Sequence, residues 1–399
     1  MMKRRDFLRY LAASGLVLSH PELALAATKA KSLYSPTRYL FVADSESYFI
    51  TIFDVVSDLQ VDLLNFNIKP QVIEIARDDS MMVVGNNEVS YLLLYDLKTR
   101  IQRKIDLPSP LYQTFFVPQS KLVAIALRDQ VGMLNYETGE LTMYPERFDS
   151  ARRDTHLYAY YNLLFSSFSQ TYWILDEDNP RIYRKSGYDP VEKPWEVIDF
   201  SKRIQTKPGW GLDSGIASPE DYMVAFTTKE GAEGFVYFPE DDKLLSTGPM
   251  HVAGSSYRPL LLPYIDYYSK RVLFGDVSGN IALFNFDQGE KPQRFKVDFS
   301  PRLFRSGWLE STWMLGGDKG LQFQSYDNPE DKKVYRFPAQ VVDMWVSGDS
   351  KTMYMVVDEG IPQVLRYDVR TKEELEPLRI YGVVMGGQLR MGSNNSICY

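Results

Sequence analysis

The chain has one cysteine in 399 residues, Cys398 beside the last residue, so no intrachain disulfide can form and the core must be held by packing alone. No cysteine pair precedes a histidine, which excludes c-type haem attachment. Histidine is nearly as scarce, with three in all, and zinc or copper catalysis is therefore not expected. Basic charge is also short: 45 Lys and Arg against 52 Asp and Glu give a net −7. A nucleic-acid partner is not expected, because neutralising phosphates needs a basic face. A serine in a G-x-S-x-G elbow, a Cys/His nucleophile pair and a glycine-rich loop opening a helix are all missing. What the chain has in excess is aromatic side chains, 14% of residues with 27 Tyr and 22 Phe, a composition that favours pleated β-structure.

The first nine residues, Met1-Met2-Lys3-Arg4-Arg5-Asp6-Phe7-Leu8-Arg9, are basic and lead into an apolar stretch from Tyr10 to Leu18. That stretch is far shorter than the ~20 residues of a membrane span, and Ala24-Leu25-Ala26 offers a small-x-small cleavage site. The order predicts a secretory signal over 1–26 and a mature domain over 27–399 with no membrane span. Arg4-Arg5 followed by Asp6-Phe7-Leu8 resembles the twin-arginine (Tat) export consensus R-R-x-F-L of bacterial proteins that cross the inner membrane folded. The resemblance implies a periplasmic destination and the Tat export machinery as a partner. No cysteine stands at the cleavage site, so a lipoprotein anchor is excluded. Cleavage would remove four basic and two acidic residues and take the net charge from −7 to −9.

Beyond Ala27 a β-unit recurs. Tyr39-Leu40-Phe41-Val42-Ala43-Asp44 precedes Phe49-Ile50-Thr51-Ile52-Phe53-Asp54, and Met81-Met82-Val83-Val84 precedes Tyr91-Leu92-Leu93-Leu94-Tyr95-Asp96. Late in the chain, Met353-Tyr354-Met355-Val356-Val357-Asp358 precedes Gln363-Val364-Leu365-Arg366-Tyr367-Asp368. Residues just before the acidic turns fall at 53, 95, 136, 175, 238, 286, 326 and 367, mostly about 40 apart, which is the period of propeller blades. The spacing predicts an all-β single propeller of eight four-stranded blades, with seven as the alternative because the unit around Leu175 is degenerate. The acidic turn is expected to join two inner strands, and the stretch 184–208 to be an insert. The first unit lacks a strand before Arg38 while Val383–Leu389 is surplus, so this C-terminal segment is expected to close the ring. The units resemble the YVTN-type and WD40-like repeat propellers of the bacterial periplasm, which implies fold and not function.

Propeller ligands commonly sit at one end of the central channel, where loops lead into the innermost strands. The residues there that are chemically equipped to bind are His156, Trp210, Asp213, Arg258, Arg302 and Arg305. Arg258 and Arg302 fall at equivalent positions of neighbouring units, an arrangement suited to a carboxylate or phosphate; the competing expectation is that each pairs with an acidic neighbour. Asp176-Glu177-Asp178-Asn179-Pro180 alternates carboxylates as calcium loops do, yet Arg181 takes the place of the required glycine, so a hairpin turn is expected instead. No catalytic residue, metal ligand or specific cofactor follows from these residues. The expected function is an exported propeller binding a small ligand, anionic in one version, or a periplasmic protein partner at one end of the channel. The alternative is a protein handling a haem-like or quinone cofactor there, with His156 and the arginines as contacts.

Overall fold

The computed structural model describes residues 32–392 apart from 36–37, 45–46, 79, 149–162, 229–232, 251–259, 267–269, 359–362 and 381–386. The signal, His156 and Arg258 therefore lie outside the described residues, as do Arg4 and Arg5. No described helix is long and apolar enough to cross a membrane.

Sheet 1 holds β1 (Tyr39–Ala43), β2 (Phe49–Asp54) and β3 (Leu59–Asn65); sheet 2 holds β4 (Val72–Ile75), β5 (Met81–Gly85), β6 (Tyr91–Asp96) and β7 (Gln102–Asp106). Sheet 3 follows with β8 (Leu111–Phe116), β9 (Leu122–Leu127), β10 (Val131–Asn135) and β11 (Leu141–Met143). Sheet 4 contains β12 (Leu163–Ser166), β13 (Thr171–Leu175), β14 (Arg181–Ser186) and β15 (Glu196–Asp199). Sheet 5 contains β16 (Leu212–Ala217), β17 (Val224–Thr228), β18 (Gly234–Phe238) and β19 (Lys243–Ser246). Sheet 6 is built from β20 (Tyr264–Ile265), β21 (Arg271–Gly275), β22 (Asn280–Asn285) and β23 (Gln293–Lys296). Sheet 7 has six strands: β24 (Pro301–Gly307), β25 (Thr312–Ser325), β26 (Lys332–Val346), β27 (Thr352–Val357), β28 (Gln363–Asp368) and β29 (Glu374–Arg379). The last strand, β30 (Gln388–Arg390), returns to sheet 1 and pairs antiparallel with β1, Val42 opposite Leu389. The ring is thus closed by the C-terminal segment.

Seven hydrogen-bonded sheets match the seven-membered alternative, and the two of the eight repeat units that share the long strand β26 both lie in sheet 7. Its strand β25 folds back at Asp318-Lys319, where Lys319 has φ 60°. The Thr312–Gly317 half pairs with β24 and the Gly320–Gln324 half with β26, and Tyr326 N donates to Ser311 O at 2.9 Å across the hairpin. Strand β26 then runs on, so that Val341–Val346 pairs with β27. Apolar seams fill the spaces between successive sheets, and one further seam lies inside sheet 7, where Met314 and Phe323 pack with Met344, Met355 and Tyr367.

Strands second from the centre are covered on both faces and read as largely apolar runs: β1, β5, β13 and β17 are buried throughout. Outermost strands such as β7 and β29 are largely exposed and polar, which hides them in the sequence. The aromatic–acidic markers are explained by the turns that follow. Asp96 Oδ1 accepts from Lys98 N and Thr99 N, both at 2.8 Å, and Asn135 Oδ1 does the same for Glu137 N and Thr138 N. Phe238 and Phe286, two of the aromatic markers, meet edge-on at 5.3 Å between sheets 5 and 6.

Two expectations are corrected here. The acidic turn joins the third strand to the outermost one, since each sheet's innermost strand precedes the legible apolar run, which is the second. In sheet 4 the equivalent marker is Ser186 at the end of β14, not Leu175 at the end of β13, which divides the long gap evenly. The stretch 184–208 then holds the end of β14, a connection, and the sheet's own outer strand β15.

Candidate functional site in the central channel

Strands β30, β4, β8, β12, β16, β20, β24 and the second half of β26 are innermost in the sheets. Four of them, β8, β16, β24 and β26, carry a register shift near their start, at Leu111/Gln113, Leu212/Gly215, Pro301/Leu303 and Val341/Asp343. A bulge re-aims the side chains beside it. In β26 this precedes Asp343, which is fully buried and saturated: Oδ1 accepts from Met344 N (2.7 Å) and Arg305 Nη2 (3.3 Å), and Oδ2 from Leu389 N (2.9 Å) and Arg390 Nη1 (3.3 Å).

These contacts join three consecutive inner strands. Arg305 of β24 also donates through Nε to Met344 O (2.7 Å) and Nη1 to Phe304 O (2.8 Å). Arg390 of β30 lies over the Trp345 ring at 5.0 Å and donates through Nη1 to Leu389 O at 2.7 Å. Its Nε is buried without a hydrogen-bond partner and stands 4.0 Å from Glu74 Oε2 on β4. A buried donor left unsatisfied is costly, which marks this guanidinium edge as chemically open. On the next inner strand, Gln113 Oε1 and Thr114 Oγ1 are likewise buried without a partner.

Glu74 is the exposed end of the row. Its side chain keeps 26% exposure, yet burial raises its pKa to about 7 against the opposing pull of Arg390. That combination fits a carboxyl facing a narrow passage instead of bulk water. Near neutrality the row Arg305–Asp343–Arg390–Glu74 therefore holds two guanidinium ions, one saturated carboxylate and one carboxyl poised between its two forms.

Among the described residues singled out from the sequence, Arg302 and Arg305 face different partners, while Trp210 and Asp213 belong to another sheet. Arg302 is half-buried at the start of β24 and faces Asp318 of the neighbouring hairpin turn at 3.8 Å, the ion-pair alternative. Arg305, expected at the rim with it, is instead buried deeper in the wall, because the bulge at Arg302 and three further residues of strand carry it down among Phe304, Asp343 and Met344. Trp210 and Asp213 lie at β16, in sheet 5, with the Lys207 ammonium 5.1 Å from the Trp210 ring. Gly211 between them is required by close approach: a Cβ would stand 2.3 Å from Asp176 O. The acidic stretch is a hairpin turn, with Asp176 Oδ1 accepting from Asp178 N and Asn179 N. Among the described residues no three His, Cys, Asp or Glu side chains gather as a metal site.

Sequence reasoning missed Glu74, Asp343 and Arg390. Each is the one ionisable residue in a short inner strand, Val72-Ile73-Glu74-Ile75, Val341-Val342-Asp343-Met344-Trp345-Val346 and Gln388-Leu389-Arg390. A lone charge within a short, largely apolar strand was the available signal.

No family profile matches the chain, and no curated protein does. The fold is similar to that of dihydro-heme d1 dehydrogenase NirN, solved in complex with DHE, at TM-score 0.66 and 11% identity over 93% of this chain and 79% of that one. It is also similar to apo AztD from Citrobacter koseri, at TM-score 0.57 and 10% identity over 89% of this chain and 98% of that one. At these identities the likeness establishes a shared β-propeller fold.

Proposed function

We propose that the chain is an exported periplasmic propeller that binds a small ligand in its central channel, against the charged row of β24, β26, β30 and β4. The observation that carries this is the buried, unpartnered Nε of Arg390 beside the partly exposed Glu74. An unmet buried donor on an ionic group is costly, and a buried ionic group adds little to stability unless fully paired, which supports a role in binding. Export by the twin-arginine route is supported by Arg4, Arg5 and the apolar stretch behind them. Changing both to Lys should hold the protein in the cytoplasm, and undiminished periplasmic recovery would end that part of the proposal.

A second reading, a protein handling a haem-like or quinone cofactor, is favoured by the likeness to NirN, whose structure was solved in complex with DHE. His156, Arg258 and the rim residues Trp210, Asp213 and Arg302 would then serve the cofactor, or a periplasmic partner protein docked at that face. Protein purified from its native periplasm separates the two by its absorption spectrum. The first reading predicts no band beyond the aromatic region, and a visible chromophore would replace it with the second.

A further inference from the structure

Resting on the channel-binding reading above, the charges of the wall narrow the kind of ligand. Asp343 spends its four acceptor contacts on two guanidinium groups and two backbone amides. With Glu74 neutral the row then carries a single positive excess, concentrated on the open Nε edge of Arg390. With Glu74 ionised the row is balanced. A monoanion matches the first state, and a phosphate dianion exceeds it.

We propose that the wall beside Arg390 receives one small carboxylate anion, to which neutral Glu74 donates a hydrogen bond, and that ionised Glu74 expels the anion by taking the guanidinium itself. Binding is then coupled to retention of one proton. A planar carboxylate is the shape that guanidinium edges hold best. The groups facing Glu74 leave Arg390 as its controlling partner: β30 brings Arg390, with Asp343 and Arg305 behind it, β5 has no ionisable side chain, and β8 brings only Tyr112. Burial lifting the Glu74 pKa to about 7 puts the exchange within the physiological range.

The test is isothermal titration of the full mature chain with acetate and benzoate, with inorganic phosphate and chloride as comparators, at pH 6.0 and 8.5. Full coupling to one group titrating near 7 weakens carboxylate binding about 30-fold between those pH values. Glu74→Gln keeps a hydrogen-bond donor and should bind acetate with the same affinity at both, and Arg390→Lys should lose at least about tenfold in affinity at pH 6.0 because the planar fork is gone. Near-UV circular dichroism confirms that each variant is folded. Carboxylate affinity that is unchanged by pH in the wild type, or unaffected by Arg390→Lys, overturns the inference. Tighter binding of phosphate than of either carboxylate does so too. If no anion binds while another small molecule is retained in the channel, this inference fails and the broader binding reading stands; if nothing binds, both fail.

Discussion

Arg366 on β28 and Asp58 in the turn after β2 lie 308 residues apart in the chain and form a two-pronged ion pair, Nη1 to Oδ1 at 2.5 Å and Nη2 to Oδ2 at 3.1 Å. The pair ties sheet 7 to sheet 1 across the seam where the ring closes. Arg366 is further fixed by donating Nε to Glu376 O at 2.6 Å. Asp58 is half-exposed, so solvent screens the attraction. A double-mutant cycle with Arg366→Ala and Asp58→Ala should give a coupling energy of about 0.5–1 kcal/mol by urea denaturation. Zero coupling would show that the closure owes nothing to this pair.

The closure should owe more to Leu389. Its side chain is fully buried in the seam with Leu40, Val42, Trp345 and Val356, while its amide serves Asp343. Leu389→Ala should cost about 2–5 kcal/mol, the usual range for a cavity of this size. A shift in the urea midpoint corresponding to less than 1 kcal/mol would mean that the seam refills or that β30 is not essential to the ring.

Glu74 should leave a signature in stability as well as in binding. Its ordinary pKa of 4.5 is raised to about 7 by burial, so between those values the folded chain keeps a proton that the unfolded chain has released. Raising the pH through that window therefore erodes stability, and above about 7 the loss is complete. Glu74→Gln cannot ionise. Its stability relative to the wild type should rise by on the order of 1–3 kcal/mol from pH 4.5 to pH 7.5. Parallel pH profiles for the two proteins would show that the carboxyl titrates normally.

Lys185 on β14 offers a test away from the channel. Its ammonium is buried, lies 5.0 Å from the Tyr144 ring, and donates to Val191 O at 2.7 Å and to Lys193 O, which pins the connection to β15. Lys185→Met conserves the stem but leaves two carbonyls without their donor. A loss of about 2 kcal/mol is expected. Protease nicking between 187 and 195 should appear in the variant, and resistance equal to that of the wild type would argue against the clamp.

How far the sequence disclosed this molecule follows from which surfaces are covered. Second strands such as Met81–Gly85 pack on both faces and announce themselves as apolar runs. The ring closure was legible because a missing strand at one end met a surplus one at the other. The hairpin at Asp318-Lys319 was not, since a two-residue turn inside a continuous stretch of strand looks like no turn at all, and so the six-stranded sheet went unseen. The channel wall was hidden for a different reason. Arg302 and Arg305 are close in sequence, but only the bulge at β24 decides that one faces a turn carboxylate and the other is buried against Asp343. Partners brought together from β24, β26, β30 and β4 have no local signature.

The return of β30 to β1 also sets a schedule for biosynthesis. While the ribosome is still making the later sheets, β1 has already emerged with the amides and carbonyls of one margin unsatisfied, open to strands from other nascent chains. Closing the circle must wait until β30 has been made, so that early margin stays unpaired through most of the synthesis of the ring.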